Sequence, residues 1–243
     1  MTGATGGIGS AVAIDLAKKD IHVVLLGRNE NKLLKITKQI QEFGGEVEYI
    51  VVDFLSLTSV SEVLVELQVR KLVPQILINA LGGSFKSEDW SNEKIYREVY
   101  RLNTEVAIEL TNQLLPIMSK LDWGRIIHFG SLSVKTGINS LPYIVAKSAL
   151  ISFVQFAAGR IALESPQVVL TAISPGPISI PGKYLNKLER EKPEELLLWF
   201  TLNRISTKRL LKVEEILNLV NYIISEYGSY MNGSIIDING GAR

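Results

Sequence analysis

Apolar and polar positions along the chain change period repeatedly, from short continuous apolar runs to stripes spaced three and four apart. The short runs, rich in Val, Ile and Leu, read as strands covered on both faces. They fall at His22–Leu26, Val47–Val52, Ile76–Asn79, Arg125–Phe129, Val168–Ser174 and Ile235–Ile238. Between them, helical spacing runs over Ile8–Lys19, Glu30–Glu42, Thr58–Arg70, Ser91–Met118, Tyr143–Glu164 and Val213–Glu226. In the first of these, Ile8, Val12 and Leu16 make an i, i+4 apolar stripe. Alternation of this kind from end to end predicts an α/β protein with a parallel sheet, in a single domain spanning 1–243.

Two places break the alternation. Pro177–Arg204 carries three prolines, many charges and the apolar run Leu196–Phe200. An insertion of that length after a strand predicts a substrate lid at about 177–204, with Trp199 and Phe200 closing over a ligand in preference to burying themselves at a subunit contact. At the other end, only Met1 and Thr2 precede a glycine cluster that ought to follow a strand. The sheet's first strand, expected at its centre, is therefore reduced to a stub, and the expectation is that the start is misplaced or trimmed.

Composition narrows the function classes. The chain is 47% hydrophobic, with a mean hydropathy of +0.20, which a doubly covered parallel sheet accounts for. No uncharged apolar stretch reaches the roughly 18 residues of a membrane span, and the first residues are glycines rather than a basic and apolar leader. The net charge of +1 is spread evenly, so neither nucleic acid nor a membrane surface is an expected partner. The absence of cysteine rules out disulfides, thiolate catalysis and cysteine-bound zinc. A cytoplasmic protein is expected. His22 and His128, each inside an apolar strand, read as packed core histidines, and no metal-binding spacing is present.

The glycine cluster runs Thr2-Gly3-Ala4-Thr5-Gly6-Gly7-Ile8-Gly9 straight into a helix. Glycines permit a tight turn and close backbone approach to a pyrophosphate seated on the helix amino terminus. This makes Gly3, Thr5, Gly7, Ile8 and Gly9 candidate dinucleotide contacts, and the fold a Rossmann-type doubly wound sheet in three layers, α/β/α. The next strand ends Leu26-Gly27-Arg28-Asn29, with no carboxylate for a ribose diol. Arg28 can instead pair with a 2′-phosphate, which favours NADP(H) over NAD(H). Asp53 closes the following strand, where it either accepts from an adenine amino group or serves a turn.

Tyr143 and Lys147 stand four apart at the start of a helical segment and share a face. A carbonyl reduction needs a proton donor, and a neighbouring ammonium and helix amino terminus lower a phenol's pKa toward that task. Ser131, after an apolar strand, offers a hydroxyl to a substrate carbonyl. Asn103, inside a long helical stretch where asparagine is mildly unfavourable, offers a place for a proton relay.

At these residues the chain resembles the short-chain dehydrogenase/reductase family over nearly its whole length. Thr2–Gly9 matches that family's TGxxxGIG turn, Tyr143-Ile-Val-Ala-Lys147 its YxxxK, and Ser174-Pro175-Gly176-Pro177 its SPG turn beside the nicotinamide. Asn232-Gly233 and Asn239-Gly240-Gly241 are similar to its closing segment. The resemblance implies that Tyr143 is the general acid/base, that Lys147 lowers its pKa and holds the nicotinamide ribose, that Ser131 binds the carbonyl and that Asn103 supports the relay. It also implies that Asn79, Gly82, Pro175, Gly176 and Ile178 border the cofactor. Asn79-Ala80-Leu81-Gly82 keeps only the first asparagine and the glycine of the family's NNAG. Ser131 stands one residue nearer the tyrosine than is commonest, with Ser133 as the fallback. A homo-oligomer, tetramer or dimer, is implied, as is an NADP(H)-dependent reaction on a ketone or secondary alcohol. A 3-oxoacyl thioester is the first substrate guess, with sugar or polyketide ketones behind it. The competing reading is a non-catalytic dinucleotide-binding regulator of the same fold, against which the intact Asn–Ser–Tyr–Lys set argues.

Overall fold

In the computed structural model, which describes residues 1–83 and 91–242, the apolar runs form six parallel strands. These are β1 (Val23–Gly27), β2 (Val47–Val51), β3 (Ile76–Asn79), β4 (Gly124–Phe129), β5 (Val168–Pro175) and β6 (Ile235–Ile238). β3, β4, β5 and β6 pair in that order, and β1 pairs with β2. Every residue of β4 and β5 is buried, which is why these strands read as unbroken apolar runs rather than alternating ones.

The helices are α1 (Gly7–Ala17), α2 (Glu30–Gln41), α3 (Ser59–Val69), α4 (Glu93–Tyr100), α5 (Val106–Lys120), α6 (Ser133–Thr136), α7 (Leu141–Glu164), α8 (Tyr184–Glu191), α9 (Pro193–Leu202) and α10 (Val213–Ile224). One face of the sheet packs under α1, α2 and α10, represented by Leu16, Ile40 and Ile223. The other packs under α3, α5 and α7, represented by Val63, Leu110 and Val154. The result is the expected Rossmann-type α/β/α sandwich. α7 is long and apolar enough by length and composition to cross a bilayer. In this fold its Leu150, Val154 and Ala158 are buried, and the helix lies along β5.

Met1 and Thr2 lie between β1 and β3 at their carboxyl ends. The Met1 amine donates to Val24 O at 2.6 Å, Leu26 N donates to Met1 O at 3.0 Å, and Thr2 N donates to Ile78 O at 3.0 Å. Below them the two edges part around a cavity of about 580 Å³, walled by Met1, Val24, Ile76, Ile78 and Leu110 among others. Burial holds the Met1 amine down to about 5, so it is neutral at pH 7.

Two expectations are corrected. The single helix expected over Ser91–Met118 is α4 and α5 joined by a π-helical turn, Arg101–Glu105. Asn103 accompanies the wider turn, because its Nδ2 donates at 2.8 Å to the carbonyl of Val99, four residues back. His22 is exposed rather than packed. It lies just before β1, with its Nε2 3.5 Å from Glu48 Oε1. Within the 177–204 segment, which forms the two helices α8 and α9, Phe200 is buried with Leu196, Leu132 and Ile205 in a small core of its own.

Candidate active site

The site lies at the carboxyl ends of the strands, where a parallel sheet gathers the amino termini of its helices. Gly3 follows the Met1–Thr2 stub with φ +65°, and a Cβ there would lie 2.3 Å from Ala80 O. A Cβ on Gly9 would lie 2.2 Å from Gly3 O, so this turn closes only with both side chains absent. Gly6 carries no side-chain cap for α1, which leaves the first-turn N–H groups of Gly7, Ile8 and Gly9 for an anion. These features suit a pyrophosphate. Ile180, from the segment after β5, stands over the turn, such that a Cβ on Gly7 would meet its Cγ2 at 2.5 Å.

That segment is pinned at both ends. Gly176 N donates to Ile238 O at 3.0 Å, and Leu211 N donates to Pro177 O at 2.8 Å. Ile178 forms a parallel bridge with Leu211. A Cβ on Gly176 would lie 2.9 Å from Asn239 Cα, and Pro175 ends β5 directly before it. Arg28 is exposed one residue beyond β1, and Thr5 lies in contact range of Gly27. Asn29 caps α2 by accepting from Lys32 N at 3.0 Å. Asp53 is exposed, and its Oδ1 accepts from Leu55 N at 3.1 Å, so the turn role is present in the structure.

Ser131 from the loop after β4, Asn103 from the π-helical turn, and Tyr143 and Lys147 from α7 come together at one place. Tyr143 is in the first turn of α7, with Pro142 occupying a position that tolerates the missing N–H. Ser131 stands near enough to the Tyr143 hydroxyl to pull the phenol's pKa down. Ser131 Oγ donates to Ser133 Oγ at 3.0 Å and accepts from Ser133 N at 3.1 Å. Ser133 thus orients Ser131 from behind. Lys147 is buried, with Nζ donating to Phe129 O at 2.7 Å and lying 5.8 Å from the Tyr143 ring centroid. Asn103 Oδ1 accepts from Gly83 N at 3.1 Å, and Nδ2 donates to Gly83 O at 3.0 Å. A Cβ on Gly82 would lie 2.4 Å from Asn103 Oδ1 and 3.3 Å from Lys147 Nζ, so both side chains converge above this glycine.

The charges differ from expectation in one respect. Burial pushes the Tyr143 phenol up, and the nearby Ser131 opposes this in part. The reason is that Lys147 is itself desolvated, its ammonium brought down to about 7, and its nearest partner is a carbonyl. Tyr143 therefore holds its proton firmly at neutral pH.

Sequence reasoning missed the residues that lock the site in place. Thr104 Oγ1 donates at 2.6 Å to Ala146 O, one residue before Lys147, and ties the π-helical turn to α7. Buried Arg101 donates to Phe54 O at 3.1 Å and to Ser56 O at 3.2 Å, which anchors the segment after Asp53. Little in the sequence signalled them, because Arg101, Asn103 and Thr104 stand among other charged residues such as Arg97, Glu98 and Glu105.

A family model described as short chain dehydrogenase matches residues 1–190. The chain is 29% identical to the 3-oxoacyl-[acyl-carrier-protein] reductase of Pseudomonas aeruginosa, over 99% of this chain and 95% of that one. Among solved structures it is similar to L-sorbose reductase from Gluconobacter frateurii complexed with NADPH and L-sorbose. That match has a TM-score of 0.88 at 25% identity, and covers 100% of this chain and 94% of the other. A 3-oxoacyl-[acyl-carrier protein] reductase from Brucella melitensis with bound NAD shares the fold. Its TM-score is 0.83 at 22% identity, over 99% of this chain and 88% of that one.

Proposed function

The chain belongs to the short-chain dehydrogenase family and is an NAD(P)-dependent oxidoreductase; from that premise we propose that it reduces a ketone, of the 3-oxoacyl thioester type, with NADP(H). The observation that carries the reading is the juxtaposition of Ser131 and Tyr143 beside buried Lys147, with Asn103 meeting the lysine over Gly82. A bound nicotinamide dinucleotide supplies the hydride. Ser131 donates to the substrate carbonyl oxygen and holds it beside Tyr143. The Tyr143 hydroxyl, kept protonated by burial, gives its proton to that oxygen as negative charge develops there. Lys147, in its charged form, and the amino terminus of α7 stabilise the phenolate that remains. Asn103 fixes the 82–83 wall and completes the relay that restores the proton.

The first-turn N–H groups of α1 would hold the pyrophosphate. Arg28 would meet a 2′-phosphate with its guanidinium fork, which supports the preference for NADP(H). Asp53 and Asn79 border the adenosine half, and Gly82, Pro175, Gly176 and Ile178 border the nicotinamide. The thioester choice rests on the relative 29% identical over nearly its full length. We read residues 1–243 as one dinucleotide-binding domain, with the 177–204 helices as its lid. It works in the cytoplasm, where a protein without cysteines has no need of an oxidising compartment. Exposed Phe156 and Leu163 on α7 support a homo-oligomer, dimer or tetramer.

Stopped-flow assays with acetoacetyl-CoA and with L-sorbose, each with NADPH and NADH, test the reading. Tyr143→Phe is expected to lose at least about 10³-fold in kcat while its NADPH affinity stays within about twofold. Turnover surviving in Tyr143→Phe would remove the tyrosine from its role. Dinucleotide binding without turnover on either ketone in the unaltered protein would favour the regulator.

A further inference from the structure

The middle of β4 carries a buried histidine that the proposed reaction does not use. His128 is paired in register with Asn79 of β3 and is fully shielded from solvent. Its Nδ1 is 3.0 Å from Asn79 Nδ2, and its Nε2 is 3.2 Å from Thr111 Oγ1. The proton positions follow from one neighbour. Thr111 has a single hydroxyl proton, and Ala107 O accepts it at 2.8 Å. Nε2 must therefore donate to Thr111, which leaves Nδ1 as an acceptor and turns the Asn79 amide so that Nδ2 donates to it. Asn79 Oδ1 is then free to accept from Thr2 Oγ1 at 3.2 Å, and Thr2 Oγ1 accepts in turn from Leu81 N at 3.3 Å. The chain of bonds runs one way from the glycine turn to α5, with each member satisfied. Burial, reinforced by Lys147, keeps the ring neutral down to about 3, so this arrangement is the only one present near neutrality.

We propose that His128 is a positioning residue for the dinucleotide, setting the Asn79 amide that joins the base of the glycine turn to the end of β3. The proposal rests on the dinucleotide reading above. Thr2 enters the turn immediately before Gly3, and Ala80–Gly83 lead from Asn79 to Asn103, so one amide fixes two walls of the site. Remove its acceptor and the Asn79 amide can turn over, which releases Thr2 and the 80–83 segment together. The Thr111 half of the histidine's bonding faces away from the site and has no such consequence.

Two amide substitutions separate the halves. His128→Asn places an amide oxygen near the Nδ1 position and keeps the bond to Asn79 while losing Thr111. His128→Gln reaches the Nε2 position, keeps Thr111 and loses Asn79. Each removes one buried bond, so a purely structural role predicts the same loss of Tm and the same change in NADPH affinity. A positioning role predicts, by fluorescence titration of the folded proteins, a Kd within about twofold of normal in His128→Asn and raised about tenfold in His128→Gln. kcat at saturating NADPH should stay within about threefold in both. Equal Kd values in the two variants, or a loss confined to His128→Asn, would overturn it. Thr111→Val provides the same test if His128→Gln does not fold. It should lower Tm with NADPH Kd unchanged, and a tenfold rise in that Kd would also sink the proposal. An unaltered protein that binds neither NADPH nor NADH fails the dinucleotide reading instead, a result these comparisons between variants cannot imitate.

Discussion

Lys147 sits with 3% of its surface exposed and, among the described residues, a single carbonyl as its hydrogen-bond partner. Its ammonium falls from 10.5 in the unfolded chain to about 7 in the fold. Between those values the unfolded chain holds a proton that the folded one has released, so stability rises with pH across this window. Below about 7 both states are charged and the burial cost is felt in full, at a size of order 4 kcal/mol. Lys147→Met, which keeps the stem and removes the charge, is thus expected to raise Tm most at pH 6 and to lose that advantage by pH 10.5. Calorimetry at the two pH values, alongside the loss of turnover, checks this. An equal Tm difference at both would mean that the amine is solvated in the fold. At this scale the sequence was informative about identity but not about charge. Tyr143 and Lys147 could be placed on one face from their spacing alone. That burial outweighs the ammonium at Tyr143 depends on how closely β4, α5 and α7 pack around both groups, which no spacing records.

The secondary-structure elements were legible to within a residue or two wherever one period persisted. β3 and β6 match their apolar runs, and the other strands differ only at their ends. The stretch from Ser91 to Met118 misled because a π-helical turn adds one residue of phase and leaves apolar positions on both sides at helical spacing. The reason for the turn is tertiary. Asn103 takes the Val99 carbonyl, and Thr104 reaches across to Ala146. In the 177–204 segment the prolines gave no clear period, because Pro marks helix starts such as Pro193 as readily as loops. The phase shift at Arg101–Glu105 aims Asn103 at Gly83, and this carries a prediction. Asn103→Ala leaves Gly83 N and Val99 O without that side chain as partner, at a cost of about 2 kcal/mol in stability. The 82–83 wall loses its anchor, so kcat should fall at least about tenfold while α4 and α5 remain helical. Chemical denaturation and steady-state kinetics on one preparation check it. A variant with reduced stability and unchanged kcat would reduce Asn103 to a purely structural role.

In the molecule as a whole, Met1 and Thr2 lie between β1 and β3. Two residues bridge them, and the ladder bonds define what the rest of the gap would accept. Met1 bonds to Val24 O and Leu26 N, and Thr2 to Ile78 O and Ala80 N. In a parallel ladder successive residues bond alternately to the two neighbours. A residue peptide-linked to the Met1 nitrogen would therefore meet Ile76 O and Ile78 N, and the one before it would meet His22 O and Val24 N. About four residues at roughly 3.3 Å each would run down the gap, filling an apolar cavity of about 580 Å³. The same link would turn the buried Met1 amine into an amide and remove the burial cost that holds it at about 5. Extending Met1 by four β-branched residues should therefore raise Tm, by roughly 2–4 °C for each kcal/mol gained. Amide exchange at Val24 and Ile78 should slow with it. Four Gly and Ser residues in the same place make the peptide link without the apolar filling, so their gain should be smaller. If the two extensions raise Tm equally, the neutralised amine accounts for the whole effect and the gap contributes nothing. If neither does, β1 and β3 are already held apart by their helices, and the two-residue bridge is sufficient for the sheet.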